Sequence, residues 1–143
     1  MPHIMTPESS SARKTTILLA DDESAITLLF EMDLTRRGYR VLQAHSGSEA
    51  SRISAEFPTP IDALVTDWRM PDLNGDELAR QLLVDRPELK IIVMSGHPDA
   101  ADVIASFAKD QALFLRKPFS PAQLVESITR LLDIPDKPGE RAA

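Results

Sequence analysis

The sequence predicts an α/β fold, with one doubly wound five-stranded parallel sheet and helices on both of its faces. Three observations lead there. Short β-branched or aliphatic runs recur at intervals of roughly 20 to 28 residues. Runs such as ILLA and IIVM are apolar on both faces, as parallel strands covered on both sides require. The segments between the runs carry helical period and helix-start chemistry.

The first strand is expected at residues 16–20 (TILLA), and a helix follows at 24–37. On its wheel Ile26, Leu29, Phe30 and Leu34 share the side expected to be buried, while Leu28 and Met32 fall opposite as an i, i+4 apolar pair. Asp33 falls on the nominally buried side. The second strand is read at 39–44 (YRVLQA), and Ser46 with Glu49 then has capping-box spacing ahead of Ala50 and Ile53. The third, fourth and fifth strands are read at 63–66 (ALVT), 90–95 (KIIVMS) and 112–115 (ALFL). Ser120, Pro121 and Gln123 combine a cap, a first-turn proline and a box acceptor before Leu124, Ile128, Leu131 and Leu132. Right-handed crossovers complete the sheet.

Residues 1–14 and 134–143, rich in Pro, Ser and charge, read as flexible tails around one domain at 15–133. After Leu132 too few residues remain for an output module. Lys and Arg total 16 against 22 Asp and Glu, a net charge of −6, and the excess lies in the core, with 12 basic and 19 acidic residues between 15 and 133. Such a surface repels nucleic acid and anionic membranes, so neither is expected as a direct partner. Cysteine is absent, which removes disulfides, thiolate nucleophiles and Cys-based zinc sites and fits a reducing, cytoplasmic location. No strongly apolar run approaches the ~20 residues a membrane helix needs.

In sheets of this class, ligands bind outside the carboxyl ends of the strands. Asp21, Asp22 and Glu23 follow the first strand; Asp67 ends the third and precedes Trp68, Arg69, Met70 and Pro71; Ser95 and Gly96 end the fourth; Arg116, Lys117 and Pro118 follow the fifth. Carboxylates gathered there repel one another, so a pKa rises or a cation joins them. Oxygen ligands with no His or Cys nearby favour Mg²⁺, with Mn²⁺ as a substitute. A lysine and a hydroxyl beside such a site suit a phosphoryl group, and Asp67 is placed to attack phosphorus.

The stretches ILLADDE, TDWRMPDLNGDEL, VMSG and FLRKPFSP occur in this order at four strand ends. Together they make residues 15–133 resemble a receiver domain of two-component response regulators. The resemblance implies a flavodoxin-like (βα)5 fold of strand order 2-1-3-4-5, with phosphoryl transfer from a histidine kinase or histidine phosphotransfer protein. It makes Asp67 the phosphoacceptor, and Asp21 and Asp22 the acid pair that helps hold Mg²⁺. Asp22 is then the closer ligand, and Asp67 and the Arg69 backbone carbonyl complete the protein's share. It gives Ser95 and Lys117 the phosphoryl oxygens, makes Phe114 the aromatic switch that turns inward as Ser95 moves, and makes the Lys117–Pro118 bond cis.

Arg69 and His97, each two residues past a site residue, would tune the lifetime of the phosphorylated state. Trp68 would shield the site and report on it. The face of helix four, strand five and helix five would address an unknown downstream protein, and Leu28 with Met32 would dock a partner helix. The phrases MSGHPDA and FLRKPFSPAQL look most like receivers of hybrid histidine kinases. Where the family commonly has a glycine before the last strand, this chain has Lys109, Asp110, Gln111 and Ala112, so an unusual turn and fourth helix are expected.

Two rivals remain at this stage. A Mg²⁺-dependent phosphohydrolase would also pass through an aspartyl-phosphate, but haloacid dehalogenase-like enzymes place a second acid where this chain has Arg69. An unphosphorylated scaffold would not need the intact set Asp21, Asp22, Asp67, Ser95 and Lys117.

Overall fold

The computed structural model describes residues 13–132. Five strands alternate with five helices: β1 (Thr16–Ala20), α1 (Ser24–Arg36), β2 (Arg40–Ala44), α2 (Gly47–Glu56), β3 (Ala63–Asp67), α3 (Gly75–Asp85), β4 (Lys90–Ser95), α4 (Ala100–Ile104), β5 (Ala112–Arg116) and α5 (Pro121–Leu132). The strands form one parallel sheet in the order β2-β1-β3-β4-β5. This is the flavodoxin-like doubly wound architecture expected from the sequence. The predicted tails lie outside the described residues apart from Arg13 and Lys14, and Arg13 is paired with Asp62 at 3.0 Å.

Alternation along each strand explains why the strands are apolar on both faces. Ile17, Leu19, Val65, Ile92 and Met94 point to one side and pack with Phe30 and Leu34 of α1 and with Leu124 and Ile128 of α5. Leu18, Ala20, Leu64, Ile91 and Val93 point to the other side and pack with Ala50 of α2, Leu78 and Leu82 of α3 and Ala100 of α4. Phe30 and Phe119 stack with ring centroids 5.1 Å apart, joining α1 to the chain entering α5.

The sheet register sets the site. Ala20 pairs with Ala44 and Thr66, Asp67 with Met94, and Ser95 with Arg116. The residues that follow β1, end β3 and β4 and follow β5 therefore share one sheet edge.

Several boundaries differ from the sequence reading by one residue. Tyr39 precedes β2, β3 extends to Asp67, β5 extends to Arg116, and α1 stops at Arg36 with Arg37 as its C-cap. The chain leaves α1 through Gly38, at φ 102°, a conformation that costs other residues steric strain. At α2, Ser46 caps the Glu49 amide as expected, but the Glu49 carboxylate accepts from His45 N–H at 2.6 Å and not from Ser46. The box predicted at α5 is complete: Ser120 N–H donates to Gln123 and Gln123 N–H to the Ser120 hydroxyl. A further box, between Asn74 and Glu77, starts α3.

The wheel of α1 requires a correction. Leu29 is 55% exposed, and the buried side is made by Thr27, Phe30, Asp33 and Leu34. Asp33 is tolerated there because Arg36 and Arg37 each donate to its carboxylate at 2.7 Å, which holds it below the usual carboxylate range. Before β5, the turn without glycine is closed by Gln111 N–H on the Ala108 carbonyl at 3.0 Å. The Gln111 side-chain Nε2 donates to the carbonyls of Pro87 and Leu89, and Lys90 Nζ to that of Asp110. Helix α4 has five residues.

Candidate functional site

The loop after β1 carries Asp21, whose side chain is fully buried. Its Oδ1 accepts from the Glu23 amide at 2.9 Å, an Asx turn that starts the path into α1. Asp22 is exposed beside it, and Asp67 at the end of β3 is half-buried. Each of the three offers a carboxylate oxygen, and these oxygens lie within 4.8 Å of one another. The predicted acid cluster is therefore assembled.

Lys117 stands over this cluster. Its Nζ lies 3.5 Å from Asp21 Oδ2, 3.5 Å from Asp67 Oδ1 and 3.8 Å from Glu23 Oε1. The Lys117 amide donates to the Ser95 carbonyl at 3.0 Å, which ties the β4 and β5 ends together. Ser95 is buried, and its hydroxyl accepts from His97 N–H at 2.9 Å. The Lys117–Pro118 peptide is cis, as the resemblance implied.

The electrostatics follow from placing acids in a poorly hydrated corner. Burial raises the Asp21 pKa, against the Glu23 amide and Lys117, which lower it. Burial and the neighbouring Asp21 push Asp67 up to about 6, with Lys117 opposing. Burial works to lower the Lys117 pKa, but Asp21 and Asp67 outweigh it and the net shift is upward. One ammonium thus leaves the acids undercompensated. A hard divalent cation held by Asp21, Asp22 and Asp67 fits the donor set and would relieve that imbalance.

The chain after Asp67 is fixed from both ends. Trp68 N–H donates to the Met94 carbonyl at 3.0 Å, and Gly75 N–H to the Trp68 carbonyl at 2.6 Å. Gly75 has no room for a side chain, since a Cβ there would stand 2.3 Å from the Asp67 carbonyl oxygen and 2.9 Å from Thr66 Cγ2. The tip of the loop is tied to α2 by Asp72, which accepts from Gly47 N–H at 3.0 Å and Ser48 N–H at 2.8 Å. These bonds hold its carboxylate below the usual range. Together with the Ser46 cap they satisfy the first amides of α2.

Arg69 and His97 meet at Trp68: the Arg69 guanidinium lies 4.6 Å over the indole, and the His97 ring meets it edge-on at 5.5 Å. Trp68 itself is buried. Phe114, in the middle of β5, is half-buried against the α2–α3–α4 side of the core. Leu28 and Met32 are 53% and 58% exposed, and Leu29 joins them.

The sequence reading left Glu23, Gly75 and Asp76 out of the site. Glu23 was visible as the third member of an acidic run, and Gly75 as the glycine of an Asn-Gly helix start. Nothing in the sequence marked Asp76 as the partner of Trp68 Nε1, which it accepts at 3.2 Å.

The model of the response regulator receiver domain family matches residues 17–129. The chain is 36% identical over 121 residues to the sensor kinase CckA of Brucella abortus, covering 85% of this chain and 13% of that kinase. To the chemotaxis protein CheY1 of Helicobacter pylori strain J99 it is 32% identical over 124 residues, covering 84% of this chain and 98% of the relative. Among solved structures, a receiver protein of Sinorhizobium medicae superposes with a TM-score of 0.75 at 36% identity, over 85% of this chain and 97% of that one. The response regulator TrrA of Thermotoga maritima, solved in complex with Mg²⁺-BeF, superposes with a TM-score of 0.70 at 27% identity, over 82% and 98%. The family match spans most of the chain and agrees with the observed strand order: this protein belongs to the response regulator receiver domain family.

Proposed function

We propose that the domain is a phosphoacceptor in two-component signalling, with Asp67 receiving a phosphoryl group from the phosphohistidine of a histidine kinase or phosphotransfer protein. The observation that carries this reading is the placement of Asp67, whose carboxylate lies 3.5 Å from Lys117 and shares a sheet edge with Asp21 and Asp22. In the transfer, an oxygen of Asp67 forms a bond to phosphorus as the phosphorus–nitrogen bond breaks, and the imidazole leaves with the electron pair. Asp21, Asp22, Asp67 and the Arg69 carbonyl would hold Mg²⁺ or Mn²⁺, which supplies charge neutralisation for the phosphoryl oxygens. A relative solved with Mg²⁺-BeF supports that assignment.

The remaining roles belong to the chain. Lys117 exchanges its carboxylate partners for a phosphoryl oxygen. Ser95, now an acceptor of His97 N–H, turns its hydroxyl proton toward another. Movement of Ser95 opens space that Phe114 fills, and the face of α4, β5 and α5 changes for a downstream protein. Arg69 and His97 govern water at the acyl phosphate, and their shared support on Trp68 makes them act together. Leu28 and Met32, with Leu29, offer α1 to a helix of the phosphodonor. The domain turns over no external substrate beyond reaction with small phosphodonors and loss of its own phosphoryl group, and it works in the cytoplasm. Among the described residues no helix is long and apolar enough to cross a membrane.

Incubation with Mg²⁺ and acetyl phosphate, followed by intact mass, tests the reading. One base-labile phosphoryl adduct that disappears in Asp67→Ala is expected. No adduct in the parent with several small donors and a phosphorylated kinase would overturn it.

A further inference from the structure

A chain of side chains leads from the acid edge across the first half of α3 to the segment after α4. Trp68, next to Asp67, donates through Nε1 to Asp76 Oδ1 at 3.2 Å. The other oxygen of Asp76 accepts from Arg80 Nη1 at 3.1 Å, one turn further along the helix. Arg80 Nη2 donates to the Ser106 hydroxyl, and the guanidinium lies 4.8 Å over the Phe107 ring. The Ser106 hydroxyl donates in turn to the Val103 carbonyl at 2.8 Å. Ser106 and Phe107 lie in the segment that leads from α4 to β5.

The links are of a kind that transmits position. Asp76 has a mostly covered side chain and accepts from both an indole and a guanidinium, so neither partner can turn without disturbing the other. Trp68 is buried, and its backbone is bonded to β4. At the far end, α4 has five residues, too few to be stable by its own hydrogen bonds, so its exit depends on contacts from outside.

We infer that Asp76 and Arg80 are positioning residues that form a relay holding the turn after α4 to Trp68, so that repacking at either end alters the other. Its link to signalling rests on the proposed phosphoacceptor role of Asp67. A relay that couples its two ends favours one arrangement of the acid edge over the other, so breaking it changes the affinity of that edge for a phosphoryl group, and linkage makes the effect reciprocal.

The chain has one tryptophan, so its emission reads the near end of the relay alone. Three variants of the full chain suffice: Arg80→Met, Ser106→Ala, and Ser51→Ala as a control that removes the other side-chain bond to α3, Ser51 to Gln81. Without ligand, Arg80→Met and Ser106→Ala are expected to shift the Trp68 emission while Ser51→Ala leaves it at the parent position. Parent-like emission in Ser106→Ala, or an equal shift in Ser51→Ala, overturns the relay. With Mg²⁺ and beryllium fluoride, Arg80→Met is expected to bind with an affinity about threefold different from the parent's. Equal affinity overturns the coupling of the relay to the site. A parent that does not respond to beryllium fluoride overturns the proposed function, and the ligand-free emission still decides the relay.

Discussion

Asp67 concentrates the tension of the site in one carboxyl group. Its pKa of about 6 stands above the ~3.9 of an unfolded aspartate, so the folded state holds this proton more tightly. The stability it contributes is therefore full below about pH 4 and is lost as pH rises through about 6, a swing on the order of 3 kcal/mol. In chelator-containing buffer, Asp67→Asn is expected to flatten this slope and to be more stable than the parent at pH 7 by about 1–3 kcal/mol. Denaturant titrations of both proteins at pH 4.5 and 7 test this; parallel pH profiles would refute it. Added Mg²⁺ is expected to stabilise the parent at pH 7 and to act weakly on the variant.

Asp21, Asp67, Ser95 and Lys117 were legible in the sequence because each sits at or just past the end of an apolar run, and parallel register brings run ends together. Asp76 was not, and neither was the pairing of Glu23 with Lys117, because these contacts are chosen by side-chain reach across the fold.

At the scale of elements, the passage from β3 to α3 depends on Gly75. A methyl group there meets first the Asp67 backbone carbonyl, which cannot turn away, and then the Thr66 side chain, so Gly75→Ala is expected to cost about 1–3 kcal/mol and to shift the Asp67 carbonyl. Thermal melts and phosphorylation by acetyl phosphate measure the two effects; parent-like values in both would show that the loop has slack.

Helix α1 sets the opposite case. Leu28→Ser with Met32→Ser removes exposed side chains, so stability should change by no more than about 0.5 kcal/mol per site, whereas phosphotransfer from a cognate kinase should slow. Unchanged phosphotransfer would remove α1 from the docking surface. The wheel placed Leu29 on the wrong side because it scored Leu as interior, whereas Thr27 is buried and Leu29 is not. Asp33 is buried where the wheel put it, with two arginines as partners, and the helix is rotated so that Thr27 joins that side.

For the whole molecule, two apolar layers press on one sheet, and their strengths are expected to differ. The α1–α5 side buries Leu124 and Ile128 completely, and Leu124→Ala should cost about 2–5 kcal/mol in denaturant titrations. The α4 end of the other side rests on a five-residue helix and on polar staples from Arg80 and Gln111. Amides of 100–111 should therefore exchange faster than those of α5, which a single hydrogen-exchange time course would show. Fold class and both layers could be read from the pattern of runs, and strand order from the family resemblance. The division of strength between layers could not, because it depends on helix length and on bonds between residues far apart in sequence.

The sharing of Lys117 among Asp21, Glu23 and Asp67 has a kinetic consequence. With Asp22 added, four carboxylates stand against one ammonium and, when the site is loaded, one divalent cation, which leaves a net charge of −1 at the mouth through which any phosphodonor must come, and such donors are themselves anions. Their encounter with the site is opposed by a local field of the same sign. Reaction with a small donor such as acetyl phosphate should then speed up as inert salt is raised, the reverse of an attractively steered encounter. A protein donor can overcome that barrier by binding elsewhere on the surface first, which gives the domain a reason to discriminate against free phosphoryl compounds.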